Sequence, residues 1–271
     1  MSNNKEVSEV KESNVVAFEA SLILDDVGTA SDNMTADDML IPRIRILQSG
    51  SPQVKKSDGA YIKGAEEGCI FDNVTNKFYD GEVGITVVPV TYRKTYIEWS
   101  PDRKFINDHG LTPDNFNQCV KDDKGKLRTP DGNEMSLTAE YFAYIIEDGA
   151  YFPALISMSS SGLRKSQQWN SMLNRLQIPH PDPAMAKKGM TVNPASFWTA
   201  YQVKSTPETN DQGSWFNWSI EPIFDSKSGG ILNPENVPNG KDLYMEARAF
   251  KNKVKSGEIK VKADTANDDV M

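Results

Sequence analysis

The stretch GEVGITVVPVTYRKTYIEW, residues 81–99, decides the fold. It is rich in β-branched and aromatic residues, which are favoured in strands because they pack well on a pleated, half-buried surface. Pro89 lies in its middle and has no N–H to donate to a neighbouring strand. We therefore expect a long strand with either an edge position or a bulge at Pro89.

Further strand patterns lie on both sides of this segment. In the run IPRIRILQ, residues 41–48, isoleucines alternate with arginines, so that the two residue types face opposite sides of a strand. Within residues 139–158, two apolar runs flank Asp148-Gly149, which is a strong signal for a hairpin turn. A second predicted hairpin, joined by TNDQG, consists of residues 196–208 and 213–225.

Two segments show helical spacing instead. Residues 159–177 repeat apolar side chains at helical intervals, and residues 242–257 read as a helix that ends at Gly257. The strands cluster along the chain rather than alternating with helices, which favours an antiparallel sheet. The sequence thus predicts an α+β protein, mainly antiparallel β, built as an OB-like barrel or small sandwich with two added helices.

Charge divides the chain into parts. Residues 1–40 carry nine acidic residues and two lysines, although the net charge of the whole chain is only −8. We predict a disordered acidic arm over 1–38, a β-rich nucleic-acid-binding core over 39–240 with a polar insertion at 100–138, and a basic helix with a short acidic tail over 241–271. Because the core is nearly neutral, local basic patches can attract a polyanion within a Debye length of about 8–10 Å.

The sequence contains no motif for catalysis or metal binding. His109 and His180 lie in polar loops without further ligands at zinc spacing. There is no phosphate-binding glycine loop and no nucleophile elbow, and neither Cys69 nor Cys119 has a plausible catalytic partner. We therefore predict a protein that is not an enzyme and uses no cofactor and no metal. Two lone thiols, with no secretory signal and no apolar span, favour the cytoplasm.

Aromatic and basic side chains interleave after Pro89. In an extended strand Tyr92, Lys94 and Tyr96 share one face with Glu98, and a Tyr-Lys-Tyr face suits a stacked base beside a phosphate. Stacking of a base on an aromatic ring contributes about 1–3 kcal/mol and tolerates any base. The candidate nucleic-acid-binding residues of this region are Tyr92, Arg93, Lys94, Tyr96, Trp99, Arg103 and Lys104.

The same interleaving occurs in the turn before this strand, in the first predicted helix and in the second predicted hairpin. The additional candidates are Lys55, Lys56, Arg164, Lys165, Arg175, Trp198, Tyr201, Lys204, Trp215 and Trp218. The competing interpretation is structural, because aromatic residues in regular elements usually belong to the core, and this interpretation is favoured for Trp169. Trp215 and Trp218 face opposite sides of a strand, so at most one of them is expected at the surface.

The last 31 residues, 241–271, consist of a basic stretch followed by an acidic one. Residues 241–262 hold seven basic and three acidic residues, and Asp264, Asp268 and Asp269 follow. This arrangement resembles the tails of single-stranded DNA-binding proteins, which recruit replication proteins and compete with DNA for a basic groove. A frayed, soluble terminus is the other interpretation.

Three stretches together resemble one class of phage protein. They are IPRIRILQSGSPQVKK (41–56), GITVVPVTYRKTYIEW (84–99) and TPETNDQGSWFNW (206–218). They are similar to proteins encoded in the replication modules of tailed phages, which are often taken to be single-stranded DNA-binding proteins with an OB-type barrel. The resemblance spans most of residues 40–225, without a zinc-ligand cluster. It implies single-stranded DNA binding in phage replication or recombination, in the host-cell cytoplasm.

Two other functions fit the same sequence. A structural or assembly protein of the phage virion would form large stable oligomers and would show no salt-sensitive DNA binding. A strand-annealing recombination protein would form rings or filaments on DNA and would accelerate the pairing of complementary strands.

Overall fold

The computed structural model describes residues 40–211 and 213–259. The predicted acidic arm at 1–38 and the acidic residues Asp264, Asp268 and Asp269 lie outside the described residues. Among the described helices, none is long and apolar enough to cross a membrane.

Strands dominate the described part of the chain. The strands are β1 (Arg43–Ile46), β2 (Ile70–Asp72), β3 (Phe78–Tyr79), β4 (Ile85–Trp99), β5 (Phe105–Asp108), β6 (Val120–Lys121), β7 (Leu127–Arg128), β8 (Glu134–Glu147), β9 (Ala150–Ser159), β10 (Ile178–Pro179), β11 (Thr191–Val192), β12 (Tyr201–Asn210) and β13 (Gly213–Pro222). The α-helices are α1 (Gly162–Arg175), α2 (Pro183–Ala186) and α3 (Gly240–Ser256).

Eleven of the described strands form one sheet. Its main path runs β13-β12-β4-β8-β9-β1-β2-β3, and β5 pairs with β4 while β7 pairs with β8 and β6. Strands β1 and β9 are parallel, and the other pairs in this sheet are antiparallel. The sheet curls into a half-barrel, so the predicted α+β fold with an OB-like barrel is confirmed.

Strand β4 is the long strand that residues 81–99 predict. It pairs with β8 over most of its length, and its register shifts between Pro89 and Thr91. This irregularity is the predicted bulge, which accommodates a residue that cannot donate to the ladder. The predicted hairpin also forms, because Asp148 and Gly149 join β8 to β9 with positive φ angles of 49° and 79°.

A side chain links β13, at one end of the sheet path, to the chain just after β1. Gln48, just after β1, donates from Nε2 to the carbonyl oxygen of Phe216 at 2.9 Å and accepts from the Phe216 N–H at 2.9 Å. The backbone also crosses the gap, since the Ser205 N–H donates to the Gly81 carbonyl at 2.8 Å. A Cβ at Gly81 would lie 2.0 Å from the Gly68 carbonyl oxygen, so this close approach requires glycine.

The two long helices cover opposite faces of the sheet. Tyr141 and Phe142 are neighbours in β8 and therefore point to opposite sides. The Tyr141 ring stacks on Trp169 of α1 with ring centroids 4.2 Å apart, whereas Phe142 meets Phe250 of α3 edge-on at 6.1 Å. Each helix thus closes a separate hydrophobic core, one inside the half-barrel and one behind it.

Segment 100–138 contributes β5, β6 and β7 to the sheet, where the sequence suggested a polar insertion. Its attachment to β4 is largely polar. The carboxylate of Glu98, which is 6% exposed, accepts from Asn133 Nδ2 at 2.7 Å and lies 2.6 Å from His109 Nε2. Hydrophobic alternation does not reveal such strands because buried hydrogen bonds hold them in place.

Candidate nucleic-acid interface

Helix α1 buries one side and exposes a line of polar residues on the other. Ser166 and Trp169 are buried, and Tyr141 Oη lies 2.9 Å from the Ser166 carbonyl oxygen and 3.0 Å from Asn170 Oδ1. The exposed side follows the helical spacing i, i+4, i+7, i+11. We call these residues the α1 stripe: Arg164, Gln168, Ser171 and Arg175.

The α1 stripe is cationic and free of acidic neighbours on its own helix. The helix sequence GLRKSQQWNSMLNR contains two arginines, one lysine and no acidic residue. Arg164 and Arg175 form no ion pair within the part of the chain that the structure describes. Both guanidinium groups border a shallow depression on the helix surface. An anion lying along the stripe therefore meets two unpaired positive charges.

Lys165 has a different role from its two arginine neighbours. Its Nζ lies 2.7 Å from Glu208 Oε1 on β12, and Asn217 Nδ2 donates to Glu208 Oε2 at 2.7 Å. Burial raises the pKa of Glu208, but the bonds from Asn217 and Lys165 outweigh it and lower the pKa below its usual value. The carboxylate stays charged, so Lys165 ties α1 to the hairpin and is largely neutralised.

The end of α1 is fixed by a side chain from a later loop. Asn193 Nδ2 donates to the carbonyl oxygens of Leu173, Asn174 and Leu176 at 3.0, 3.2 and 2.8 Å. Carbonyl groups at a helix C-terminus lack partners inside the helix, so this amide satisfies them. Arg175, the last residue of α1, therefore lies at a helix end that hydrogen bonds stabilise.

Tyr92 is the exposed end of a row of aromatic rings that leads into the core. Its ring lies 5.1 Å from Tyr141, Tyr141 stacks on Trp169, and Trp169 meets Tyr201 edge-on at 5.6 Å. Tyr92 itself is 36% exposed. The ring is therefore held from behind and open to solvent in front, on the face of the sheet that α1 covers.

Lys94 and Tyr96 continue the same face of β4, as the strand period predicts. Both side chains are half-buried, and the Tyr96 ring meets Phe116 edge-on at a centroid distance of 5.2 Å. Lys94 forms no ion pair with the described residues. The face of β4 that follows Pro89 thus joins an exposed ring, an unpaired ammonium group and a second, partly covered ring.

The opposite face of β4 holds a structural charge cluster. Arg93 bonds both Glu140, at 2.6 Å, and Asp108, at 2.9 Å, while Arg43 approaches Glu140 from β1 at 3.4 Å. The Glu140 carboxylate is fully buried. Burial raises the pKa of Asp108, but hydrogen bonds from Thr95 and the Gly110 N–H and the charge of Arg93 lower it below its usual value. Both carboxylate contacts of Arg93 therefore stabilise the sheet, and Arg93 has a structural role.

Other predicted residues near β5 make local contacts. Trp99 is half-buried and packs edge-on against Phe105 at 6.2 Å. Lys104 pairs with Asp102 at 2.7 Å in an exposed position, and Arg103 adopts a φ of 61° in the turn between them. These contacts leave Trp99, Arg103 and Lys104 outside the α1 stripe.

Three predicted stacking residues are core residues, which corrects their assignment to the interface. Trp198, Tyr201 and Trp218 are 6%, 1% and 4% exposed, so no base can reach their rings. Burial raises the pKa of Tyr201 to about 12. They are buried because the inner face of the curled sheet and the α3 side each require large apolar side chains, as the structural interpretation anticipates.

Four candidates remain, of which Trp215 lies near α1. Trp215 is half-buried and pairs with Glu208 across the β12–β13 hairpin, and Lys165 connects Glu208 to α1. Among the described residues, no hydrogen bond or ion pair joins α1 to the side chains of Lys55, Lys56 and Lys204.

Three further residues of this surface were not predicted from the sequence. Phe116 is 40% exposed and covers one side of Tyr96, but a single aromatic residue in a polar segment carries no pattern. Gln167 and Met172 line the depression on α1, and helical spacing from Arg164 could have identified them.

Comparisons with known proteins place the chain in a family. A family model described as Pam3 phage gp34-like protein matches residues 11–260. A search of curated proteins and a search of solved structures found no significant match. Since the model matches most of the 271 residues, this phage protein belongs to the Pam3 phage gp34-like protein family.

Proposed function

We propose that this protein binds single-stranded DNA, without catalysing a reaction, in phage DNA replication or recombination. The observation that carries the proposal is the α1 stripe, where Arg164 and Arg175 are exposed and unpaired on a helix without acidic residues. The whole chain has a net charge of −8, so this concentration of positive charge is local. Local positive charge beside an exposed ring is what a nucleic-acid strand requires.

In this proposal the α1 stripe binds the phosphate backbone and Tyr92 stacks on a base. Arg164 and Arg175 lie 11 positions apart, which corresponds to about 16 Å along a helix, so they reach separate phosphates. Guanidinium groups suit this role because they donate paired hydrogen bonds to phosphate oxygens. Tyr92 offers its open face to one base, and Lys94 adds a charge two residues away.

A single strand fits this surface better than a duplex. Stacking on Tyr92 requires a base whose face is free, and bases inside a duplex are already stacked on each other. The proposed contacts are made to phosphates and to the face of a base. DNA of any base sequence provides both. We therefore expect little sequence preference.

The proposed role places the protein in the cytoplasm of the host cell. There the acidic residues Asp264, Asp268 and Asp269 would contact replication proteins. Their position directly after a basic segment supports this part of the proposal.

The test is a paired set of charge-removing variants in the full chain. Binding of a fluorescent oligo-dT of about 30 nucleotides is followed by anisotropy for the wild type, for Arg164→Gln/Arg175→Gln, and for the control Lys63→Gln/Lys124→Gln. We expect the stripe variant to bind at least about tenfold more weakly, because each hydrogen bond between charged groups contributes about 1.5–3 kcal/mol. The control removes the same charge from two exposed lysines elsewhere and should bind like the wild type.

Two results would contradict the proposal. Equal binding by the stripe variant and the control would remove α1 from the interface. Absence of any binding by a wild-type protein that forms large stable oligomers would favour a virion assembly role instead.

A further inference from the structure

Helix α3 repeats the surface pattern of α1. Tyr244, Arg248, Lys251 and Lys255 follow the same spacing i, i+4, i+7, i+11 and form one line along the helix, which we call the α3 stripe. Between Glu246 and Glu258 the chain contains four basic residues and no acidic one. The three cations of the stripe form no ion pair within the described part of the chain.

The acidic residues of α3 lie away from this line. Glu246 is on the other flank of the helix by helical spacing, and it accepts a hydrogen bond from Tyr151 Oη at 3.0 Å. Asp242 is in the first turn, where it complements the positive end of the helix dipole. The stripe is therefore cationic without local compensation.

Helix stability does not account for all of this charge. Cations in the last turn are stabilising because they face the negative end of the helix dipole, and Lys253 and Lys255 occupy that turn. Arg248 and Lys251 precede the last turn, and like charges at neighbouring helical positions repel. A binding role explains a charge line that helix stability alone disfavours.

Aromatic rings hold the stripe in place. The Arg248 guanidinium lies 5.4 Å from the Tyr244 ring centroid, and Lys251 Nζ lies 5.7 Å from that of Phe197. Tyr244 and Phe197 in turn meet at 4.8 Å, with Phe197 buried. The Arg248 and Lys251 side chains thus lie above a packed aromatic pair.

We propose that the α3 stripe is a second site for a nucleic-acid backbone, so that one molecule holds two strand segments on opposite faces of its sheet. The placement follows from β8, where Tyr141 packs against α1 and its neighbour Phe142 packs against α3. This inference rests on the proposed binding of single-stranded DNA at α1. Two sites that face away from each other cannot serve one short segment, so each takes its own.

The test measures capture of a second strand. Biotinylated oligo-dT is immobilised, loaded with full-length protein, washed, and offered a fluorescent oligo-dT. Three proteins are compared: the wild type, the stripe variant Arg248→Gln/Lys251→Gln/Lys255→Gln, and a control, Lys63→Gln/Lys124→Gln/Lys227→Gln, that removes equal charge from exposed sites. Circular dichroism and thermal unfolding confirm that each protein is folded.

We expect the α3 variant to load on the first strand within about twofold of the wild type but to capture at least about tenfold less second strand. The control should behave like the wild type in both steps. This result supports the second site, because an α1-only protein that bridges strands as an oligomer would be unaffected by the substitutions in α3.

Other outcomes separate the two proposals. If the wild type does not load on the first strand, the proposed function fails. If it loads but captures no second strand, or if the α3 variant captures as much as the wild type, the second site is refuted while the first stands. Binding of vesicles containing anionic lipid that is lost in the α3 variant, with strand capture unchanged, would assign the stripe to a membrane surface instead.

Discussion

The side chains of β4 differ in whether they are exposed to solvent or already bonded within the protein. Tyr92 is supported from behind by Tyr141 and open in front, whereas Arg93, its neighbour in β4, is bound to two carboxylates. Adjacent residues of one strand thus have opposite roles, because they point to opposite faces of the sheet. Substitution of Tyr92 should therefore affect DNA binding, whereas disruption of the ion pairs of Arg93 should affect stability.

Removing the Tyr92 ring should weaken DNA binding. We expect Tyr92→Ala to bind oligo-dT about 5- to 150-fold more weakly, because base stacking contributes about 1–3 kcal/mol. Tyr92→Phe keeps the ring and should bind within about twofold of the wild type. Anisotropy titrations measure both, and equal affinity of the Ala variant and the wild type would show that Tyr92 does not stack a base.

Removing the buried carboxylate should destabilise the fold. Glu140 lies between Arg43 and Arg93, and its loss removes the ion pair of Arg43 and leaves Arg93 with Asp108 alone. We expect Glu140→Ala to lower the free energy of unfolding by about 3–5 kcal/mol in urea titrations. Glu134→Ala breaks partly exposed ion pairs with Lys126 and Arg128 and should cost less than about 1 kcal/mol. A loss below about 1 kcal/mol for Glu140→Ala would show that the cluster is not structural.

Among the secondary-structure elements, β13 and the segment after β1 meet at Phe216 and Gln48. The carboxamide of Gln48 supplies one donor and one acceptor to the Phe216 backbone, as a paired strand would. This contact gives the short strand β1 a link to β13, far from it in the strand order. The curvature that holds α1 against its core therefore relies partly on one side chain.

Substitution of Gln48 tests this link. We expect Gln48→Ala to lower the free energy of unfolding by about 1–3 kcal/mol, because two backbone groups lose their partners. Hydrogen exchange at residues 213–220 should accelerate more than in β8. Gln118→Ala, in an exposed position, serves as the control and should change neither quantity. Unchanged exchange in the hairpin would mean that the sheet is closed by other contacts.

Elements with a strong local pattern were predictable from sequence, and elements held by distant contacts were not. Strand β4, its bulge at Pro89 and the Asp148-Gly149 turn follow from residue type alone. Strand β5 depends on the buried bonds of Glu98 to His109 and Asn133, which no periodicity encodes. The residues of the candidate interface likewise differ in how far the sequence predicts them.

The α1 stripe was predictable in part because helical spacing places Arg164 and Arg175 on one side of the helix. The burial of Trp198 and Trp218 was not, because a strand or turn does not encode which of its faces another element covers. Lys165 shows a third limit. Its partner Glu208 is 43 positions away, so only the fold reveals that this lysine is neutralised.

The chain as a whole is acidic, but two of its helices carry cationic surfaces, the α1 stripe and the α3 stripe. The net charge of −8 is concentrated in residues 1–40, and the described sheet separates α1 from α3. Repulsion between the acidic segment and a polyanion falls off within a Debye length of about 8–10 Å, so the stripes act locally. Binding should then depend on a few phosphate contacts rather than on total charge.

The most direct test of this claim is the salt dependence of binding by the full chain to an oligo-dT of about eight nucleotides, which is too short to bridge the two helices. Phosphate contacts from Arg164, Arg175 and Lys94 predict a slope of about −2 for the logarithm of the binding constant against the logarithm of salt concentration. A duplex of equal length should bind more weakly. A slope near zero, or equal binding of both forms, would contradict the claim.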